Sequence, residues 1–341
     1  MKLSVKFARD LLCASLLPIG LTVGSLTLHA NEVAASDQRK ILRIQPSLEA
    51  ANFFCTDPAL HKAPLDPDLT FVWTGRCENN LLEGSGVLSI YDQGPLAATL
   101  TGTFVHGAAE GREIIEYARG DKFDGEFHGN QPNGHGKYID PRGTSIEGEF
   151  RDDMLEGVAI TAEPDQSVIT RTYKDGELDG PYVLRTPHSF RIDGTYRSGM
   201  PVGMATYSFP DGGKLAVNFT NGIADKTATY TTPDGQSIHG DLVAARLDPT
   251  QPHAPPRYPL LARRLNLQGS VKLEAMISAS GQVEYARVAE SSGWAVLDQA
   301  ARESALTWRY LPATVDDHPV PSVRGVTMPF ALRGPDQPPA N

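Results

Sequence analysis

The residues best equipped for chemistry in this chain are its histidines, its paired acids and its cysteines. His128 and His135 flank a turn seven residues apart, with no cysteine or third ligand nearby, so no zinc donor set is complete. Asp316-Asp317-His318 sits in a polar stretch before Pro319 and reads as a solvated loop, not a proton-transfer dyad. No glycine-rich phosphate loop follows a strand pattern. The sequence therefore assigns no catalytic residue, no metal and no cofactor. An enzyme would need a site hidden in residues 31–70 or in a loop.

Cysteine chemistry depends on compartment, and the N-terminus bears on that. Lys2, Lys6 and Arg9 precede an uncharged stretch from Leu11 to Ala30 that closes on Leu28-His29-Ala30. A basic start, an apolar centre and a small final residue form an export signal, removed with residues 1–30. The same 20 uncharged residues are long enough to cross a bilayer, so an uncleaved inner-membrane anchor is the alternative. Pro18, Gly20 and Gly24 weaken it as a permanent span. Either way the body of the chain is exported to the periplasm. Cys55 and Cys77 then remain as an even pair in an oxidising compartment, which predicts a disulfide; two buried free thiols are the alternative. Bridging them closes a loop of about 23 residues, worth about 3 kcal/mol in the chain-entropy model. Ser47–Phe54 fits a capped helical turn that covers an exposed strand edge.

Charge narrows the partners. The chain has 31 basic and 41 acidic residues, a net charge of −10. Residues 252–341 hold nine basic and eight acidic residues, so the acidic excess lies upstream. Such a body is repelled by nucleic acid phosphates and by anionic headgroups, and both drop out as partners.

The acidic part has a period of 23 residues. Stepping from Gly102 reaches Gly125, Gly148, Arg171, Gly194, Val217 and Gly240. Nine residues after the first five steps stand Gly111, Gly134, Gly157, Gly180 and Gly203, and Gly75 with Gly84 forms an earlier unit. Apolar residues lie two before and two after the step, as in Phe123 and Phe127, while Lys122, Asp124, Glu126 and His128 take the alternate positions. That is a strand with one buried and one wet face. Pro-x-Gly at 141–143, with Pro-Asp-Gly at 210–212 and 233–235, supplies turns. Each unit is a β-hairpin in a stacked array, and a glycine between same-face aromatics gives their rings a flat floor.

Phe123-Asp-Gly-Glu-Phe127 followed by Asn133-Gly-His-Gly-Lys-Tyr138 resembles a MORN repeat, as does Trp73-Thr-Gly-Arg-Cys77 with Glu83-Gly-Ser-Gly86. The resemblance covers about residues 71–244. Arg171 and Val217 replace the first glycine of their units, and Lys226 the second. It implies a single-layer hairpin array that serves as scaffold, spacer or interaction surface.

Beyond Leu242 the period ends, and Pro249, Pro252, Pro255 and Pro256 form a short linker. A short helix is expected through Leu260–Leu265 and a strand through Val271–Ile277. Ser280-Gly281 turns into a return strand at Val283–Arg287. A helix capped by Ser292 then places Leu297, Ala301, Ala305 and Trp308 on one face, and a last strand runs from Val323 to Leu332. Six segments in order resemble the TonB C-terminal domain: Tyr258-Pro-Leu-Leu-Ala-Arg263, Gly269-Ser-Val-Lys-Leu273, Gly281-Gln-Val283, Ser291-Ser-Gly293, Leu297-Asp-Gln-Ala-Ala301 and Trp308-Arg-Tyr-Leu-Pro312.

This resemblance implies a periplasmic, non-enzymatic domain that pairs edge-on with an extended peptide of an outer-membrane TonB-dependent receptor. By β-augmentation the partner-binding residues are Arg257, Tyr258 and Pro259 before the first helix and Val323, Arg324, Val326 and Met328 on the last strand. An uncleaved anchor adds inner-membrane motor proteins as partners and energy transduction as the role; a cleaved one leaves a soluble scaffold. The chain departs from a transducer in lacking a long proline-rich spacer. Ser25-Leu-Thr-Leu-His29 has the spacing of the transducer's membrane motif but sits at the far end of the apolar stretch.

The expected fold is mainly β: an elongated antiparallel hairpin-repeat meander followed by a small αββαβ domain. Its parts are a signal or anchor (1–30), a capping segment (31–70), repeats (71–247), a linker (248–256), the C-terminal domain (257–334) and a tail (335–341). About 15 strands spaced about 4.8 Å apart would make a rod of roughly 70 Å that displays the C-terminal domain away from its anchor.

Overall fold

The computed structural model describes residues 61–62 and 69–332. The signal or anchor, the turn at 47–54, Cys55 and the tail lie outside the described residues. Two compact units divide the chain, with described residues up to Gly157 in the first and those from Val158 onward in the second.

Every 23-residue step is a pair of antiparallel strands, as expected. Lys122–His128 pairs with Gln131–Ile139, which pairs in turn with Ser145–Arg151. Two turns alternate along the array. One lies four and five residues after the step, where both φ angles are positive: Asn79 and Asn80 (51°, 64°), Asp152 and Asp153 (49°, 70°), Asn221 and Gly222 (50°, 82°). That is the primed turn whose twist suits a two-residue hairpin. The other is the Pro-x-Gly turn, where Asp140 Oδ1 accepts from the N–H groups of Arg142 (3.0 Å) and Thr144 (2.9 Å). Gly143, Gly212 and Gly235 take its left-handed position, but Gln166 and Ser189 do so in the two middle turns. The glycines nine residues after each step sit at positive φ beside a bulge, as at Gly134 and Gly180.

The first glycine of a unit answers to the residue two before it. Phe123 lays its ring across Gly125 and Gly136, where an added Cβ would meet ring carbons at 2.8 and 2.7 Å. Trp73 does the same over Gly75 and Gly86. Where that residue is aliphatic, other side chains fill the floor. Beside Leu100 the Glu113 carboxylate lies over Gly102. Beside Ile169 the buried Arg171 stands where glycine would be, with its guanidinium 5.9 Å from the centre of the Tyr182 ring. Beside Leu215, Val217 and Ala228 are both buried.

Three long strands form the C-terminal sheet. The central strand Gly269–Ile277 pairs on one side with the return strand Val283–Glu290 and on the other with the last strand Ser322–Phe330. Leu260–Arg264 and Ala295–Ala305 are the helices, so the expected αββαβ order is present, with short strands added between the second helix and the last strand. Gly281 closes the turn at φ 81°, and a Cβ there would strike the Tyr310 carbonyl at 1.9 Å. Ser292 does not cap the second helix in the expected way. Trp294 holds that position, while Asp298 reaches back from the first turn to accept from Ser292 N (2.8 Å) and Ser292 Oγ (2.7 Å).

The display of this region on a spacer is not what the second unit does. Leu242 and Val243 pair with Val315 and Thr314, and Arg246 and Leu247 with Leu311 and Tyr310, so the C-terminal region is stitched to the last repeat. The linker is pinned as well: the Ala254 carbonyl accepts from Trp308 Nε1 and Ser304 Oγ, each at 3.0 Å. One face of the sheet carries the helix Ala295–Ala305. The opposite face meets the two turns that lack glycine. Arg287 donates to Glu163 (2.8 Å) and Glu274 (2.7 Å), Tyr285 donates to Asp165 (2.7 Å), and the His188 ring lies 4.9 Å from that of Tyr285. The repeats and the C-terminal sheet share one continuous core, from Ile169 through Tyr207 to Met276.

Candidate docking edge

Among the described residues the last strand is bonded to a neighbour along one side only. All nine of its residues pair with the central strand without a break, from Phe330 opposite Gly269 to Ser322 opposite Ile277. Among the described residues no strand pairs with its other side. Pro329 fixes which groups point that way. It lacks an N–H, so its pair with Ser270 is a non-hydrogen-bonded one, and alternation sends the N–H and C=O of Val323, Gly325 and Thr327 outward.

Side chains on this strand divide by face. Val326, Met328 and Phe330 lie opposite Leu273, Val271 and Gly269; Val323 and Thr327 lie opposite Met276 and Lys272. Met328 is only 2 % exposed, so its side chain is a core residue that holds the strand down. Val323, Arg324 and Val326 are half-buried and Thr327 is exposed. Arg324 lies close enough to Tyr310 to offset part of the burial that pushes the phenol up to about 12.

The helix-entry residues do different work. The Tyr258 hydroxyl donates to the Leu267 carbonyl, and its ring meets Phe330 edge-on at 5.6 Å. Tyr258 thus clamps the end of the last strand from inside. Pro259 sets the extended backbone that enters the helix, and Arg257 is exposed. Sequence reasoning missed Ser322, Gly325 and Thr327. The signal that finds two of them is Pro329, since a proline inside a strand marks an edge and sets its parity.

A small open pocket with a cavity volume of about 30 Å³ lies at the beginning of this strand. Tyr207, Leu215 and Val217 of the repeats form one wall, and Ala244, Ser322 and Val323 close it. Ser322 is buried, and its hydroxyl has no hydrogen-bond partner among the described residues.

Charge at the back of the sheet is locked. Arg287 is 1 % exposed; burial alone would lower its pKa, but the carboxylates of Glu163 and Glu274 outweigh this and raise it well above the ordinary value. Asp165 is drawn towards neutrality by burial, yet hydrogen bonds from Tyr285 and Ser167 and the nearby Arg287 hold it below the usual range.

The residues first considered for chemistry lie elsewhere. His128 contacts Glu110 (3.0 Å) and His135 contacts Glu147 (3.5 Å) on the surface. Asp316 and Asp317 form a tight turn at positive φ, and His318 Nδ1 lies 2.9 Å from the Asp316 carbonyl. No cluster of three metal-ligating side chains occurs among the described residues. No helix among them is long and apolar enough to cross a membrane. Cys77 is disulfide-bonded, and its partner lies outside the described residues.

Comparison with known proteins bears out both resemblances. Residues 254–332 match the family model described as Gram-negative bacterial TonB protein C-terminal, and residues 123–145 and 193–214 match the MORN repeat. Protein TonB of Vibrio cholerae serotype O1 is 34 % identical over 79 residues, which is 23 % of this chain and 32 % of that protein. Protein tonB2 of Pseudomonas aeruginosa is 40 % identical over 62 residues, 18 % of this chain and 23 % of that one. Protein TonB of Xanthomonas campestris pv. campestris is 36 % identical over 78 residues, covering 23 % and 35 %. The chain spans about a third or less of the length of these curated relatives. Among solved structures, the TCP10 domain of Danio rerio CPAP in complex with a peptide of STIL gives a TM-score of 0.31 at 15 % identity, covering 46 % of this chain and 69 % of that one. The last quarter of the chain is therefore similar to the C-terminal region of Gram-negative TonB proteins, and the array before it to MORN repeats.

Proposed function

We propose that this chain is a periplasmic, non-catalytic adaptor whose last strand takes up an extended segment of an outer-membrane receptor. The observation that carries the reading is the outer margin of Ser322–Phe330, unpaired among the described residues, where Val323, Gly325 and Thr327 offer backbone donors and acceptors in strand register. An added strand satisfies those groups, and main-chain bonds supply affinity without demanding one sequence. Similarity to proteins named TonB points the same way.

Photo-crosslinking in the periplasm from position 324 is the direct test. The expected product is a receptor's N-terminal segment, and Thr327→Pro abolishes capture without unfolding the chain, since the lost donor faces away from the sheet. Self-crosslinks alone overturn the reading. Force transmission, with inner-membrane motor proteins as further partners, requires in addition that residues 1–30 stay attached; a mature chain beginning at Asn31 limits the protein to a soluble adaptor.

A further inference from the structure

We propose that the pocket at the start of the last strand is a specificity subsite that takes one aliphatic side chain of the docked segment, with the repeats supplying half its wall. This rests on the edge-docking reading and goes beyond it, because it makes the hairpin array part of the recognition surface and not only a support.

Register places the ligand. A segment added along the outer margin has a residue directly opposite Val323, with the two Cβ atoms about 5 Å apart and on the same face of the sheet. Val323 lies opposite Met276, on the face turned to the repeats, and it lines the pocket with Tyr207, Leu215 and Val217. The incoming side chain at that position therefore enters the pocket. Its walls hold no acid and one cation, Arg324, so an incoming lysine or arginine gains no counter-charge and meets a like charge, while the tip of a short aliphatic side chain such as valine meets apolar surface on several sides. Ser322 supplies the polar demand. Its hydroxyl is more than nine-tenths buried without a partner among the described residues, a cost that a peptide N–H or C=O beside it removes. Val217 is also the position where this unit gives up the repeat's first glycine, which puts an isopropyl group on the floor beneath the pocket.

The test uses the full chain and a random decapeptide library displayed on phage. Peptides selected by the unaltered protein are expected to share one aliphatic position, and replacing that residue by alanine weakens binding about tenfold. Ala244→Phe fills the pocket from an exposed position at its mouth, so the same peptides lose about tenfold and the alanine-replaced peptide loses nothing further. Ser322→Val narrows it from the other wall and serves if the first variant melts early. Equal binding to filled and unfilled pockets, or a shared acidic residue in place of the aliphatic one, overturns the subsite. If Thr327→Pro still abolishes binding in that case, edge docking stands without it. A library that yields no peptide at all overturns both.

Discussion

The first and second units build the same hairpin and bury it by different means. In the first, aromatic rings lie on glycine in two of the four repeats, with Leu100 and Ile146 at the equivalent position in the others: Trp73 packs edge-on against Phe104 at 5.0 Å, and Phe123 against Phe127 at 5.8 Å and Phe150 at 5.3 Å. In the second, the equivalent positions are Ile169, Ile192, Leu215 and Ile238, and their floor holds Arg171, Ala205, Val217 and Ala228. The second array completes its core with Met276 and the repeat-facing side of the C-terminal sheet. No repeat of the second array keeps the aromatic floor, and a sheet is laid on top of that array. It is the sheet with the open margin, held by Arg287 and Tyr285 against turns in which Gln166 and Ser189 stand where glycine sits elsewhere.

The largest way to break this contrast is Arg287→Ala. It strands the Glu163 and Glu274 carboxylates without their counter-charge and should cost about 3–5 kcal/mol, read as a lower urea midpoint for the second unit. Hydrogen exchange should show the loss between Val158 and Phe330 and leave the first unit's amides protected. A uniform loss would mean that the two arrays do not differ in what completes them.

Next in size is Glu113, which stands in for the missing ring beside Leu100. It is fully buried, its Oε1 accepts from Thr103 N at 2.7 Å, and its Oε2 has no partner. Burial raises its pKa to about 7, against the lowering effect of the Thr103 bond. For a carboxyl whose folded pKa is raised, stability is full below the ordinary range near 4.5 and declines as pH rises to about 7. A shift of that size corresponds to about 3 kcal/mol. Protection of the amides at 100–115 should fall from pH 5 to pH 8 in the unaltered protein and stay flat in Glu113→Gln.

The smallest effects come from a pair of alanine substitutions that sharpen the floor argument. Gly125→Ala forces a methyl into the Phe123 ring and should cost about 1–3 kcal/mol. Gly194→Ala places its Cβ 3.6 Å from that of Ala205, an ordinary contact, and should change stability by less than about 0.5 kcal/mol. Equal costs in thermal melts would sever the link between ring and glycine.

Much of this was legible in local pattern. The 23-residue step, the alternating faces and the order of C-terminal elements all follow from spacing. The primed turns were harder to see. Asp175-Gly176 and Asn221-Gly222 announce them, but Asp152-Asp153 and Ser198-Gly199 take the same conformation with weaker composition. Met328 shows the opposite failure: position on an edge strand suggested a contact residue, and only the pairing with Val271 shows that its side chain points inward.

What the amino-acid order determined alone is everything that repeats or alternates within about a dozen residues, because hydrogen-bonded hairpins and amphipathic strands are made by near neighbours. Tertiary structure decided the rest: that Arg287 meets Glu163 across 124 positions, that Leu242 pairs with Val315, and that among the described residues one margin of the last strand is left open. Those outcomes depend on which buried faces and charges can complete one another in space, a property of pairs of distant surfaces that no single stretch of chain contains.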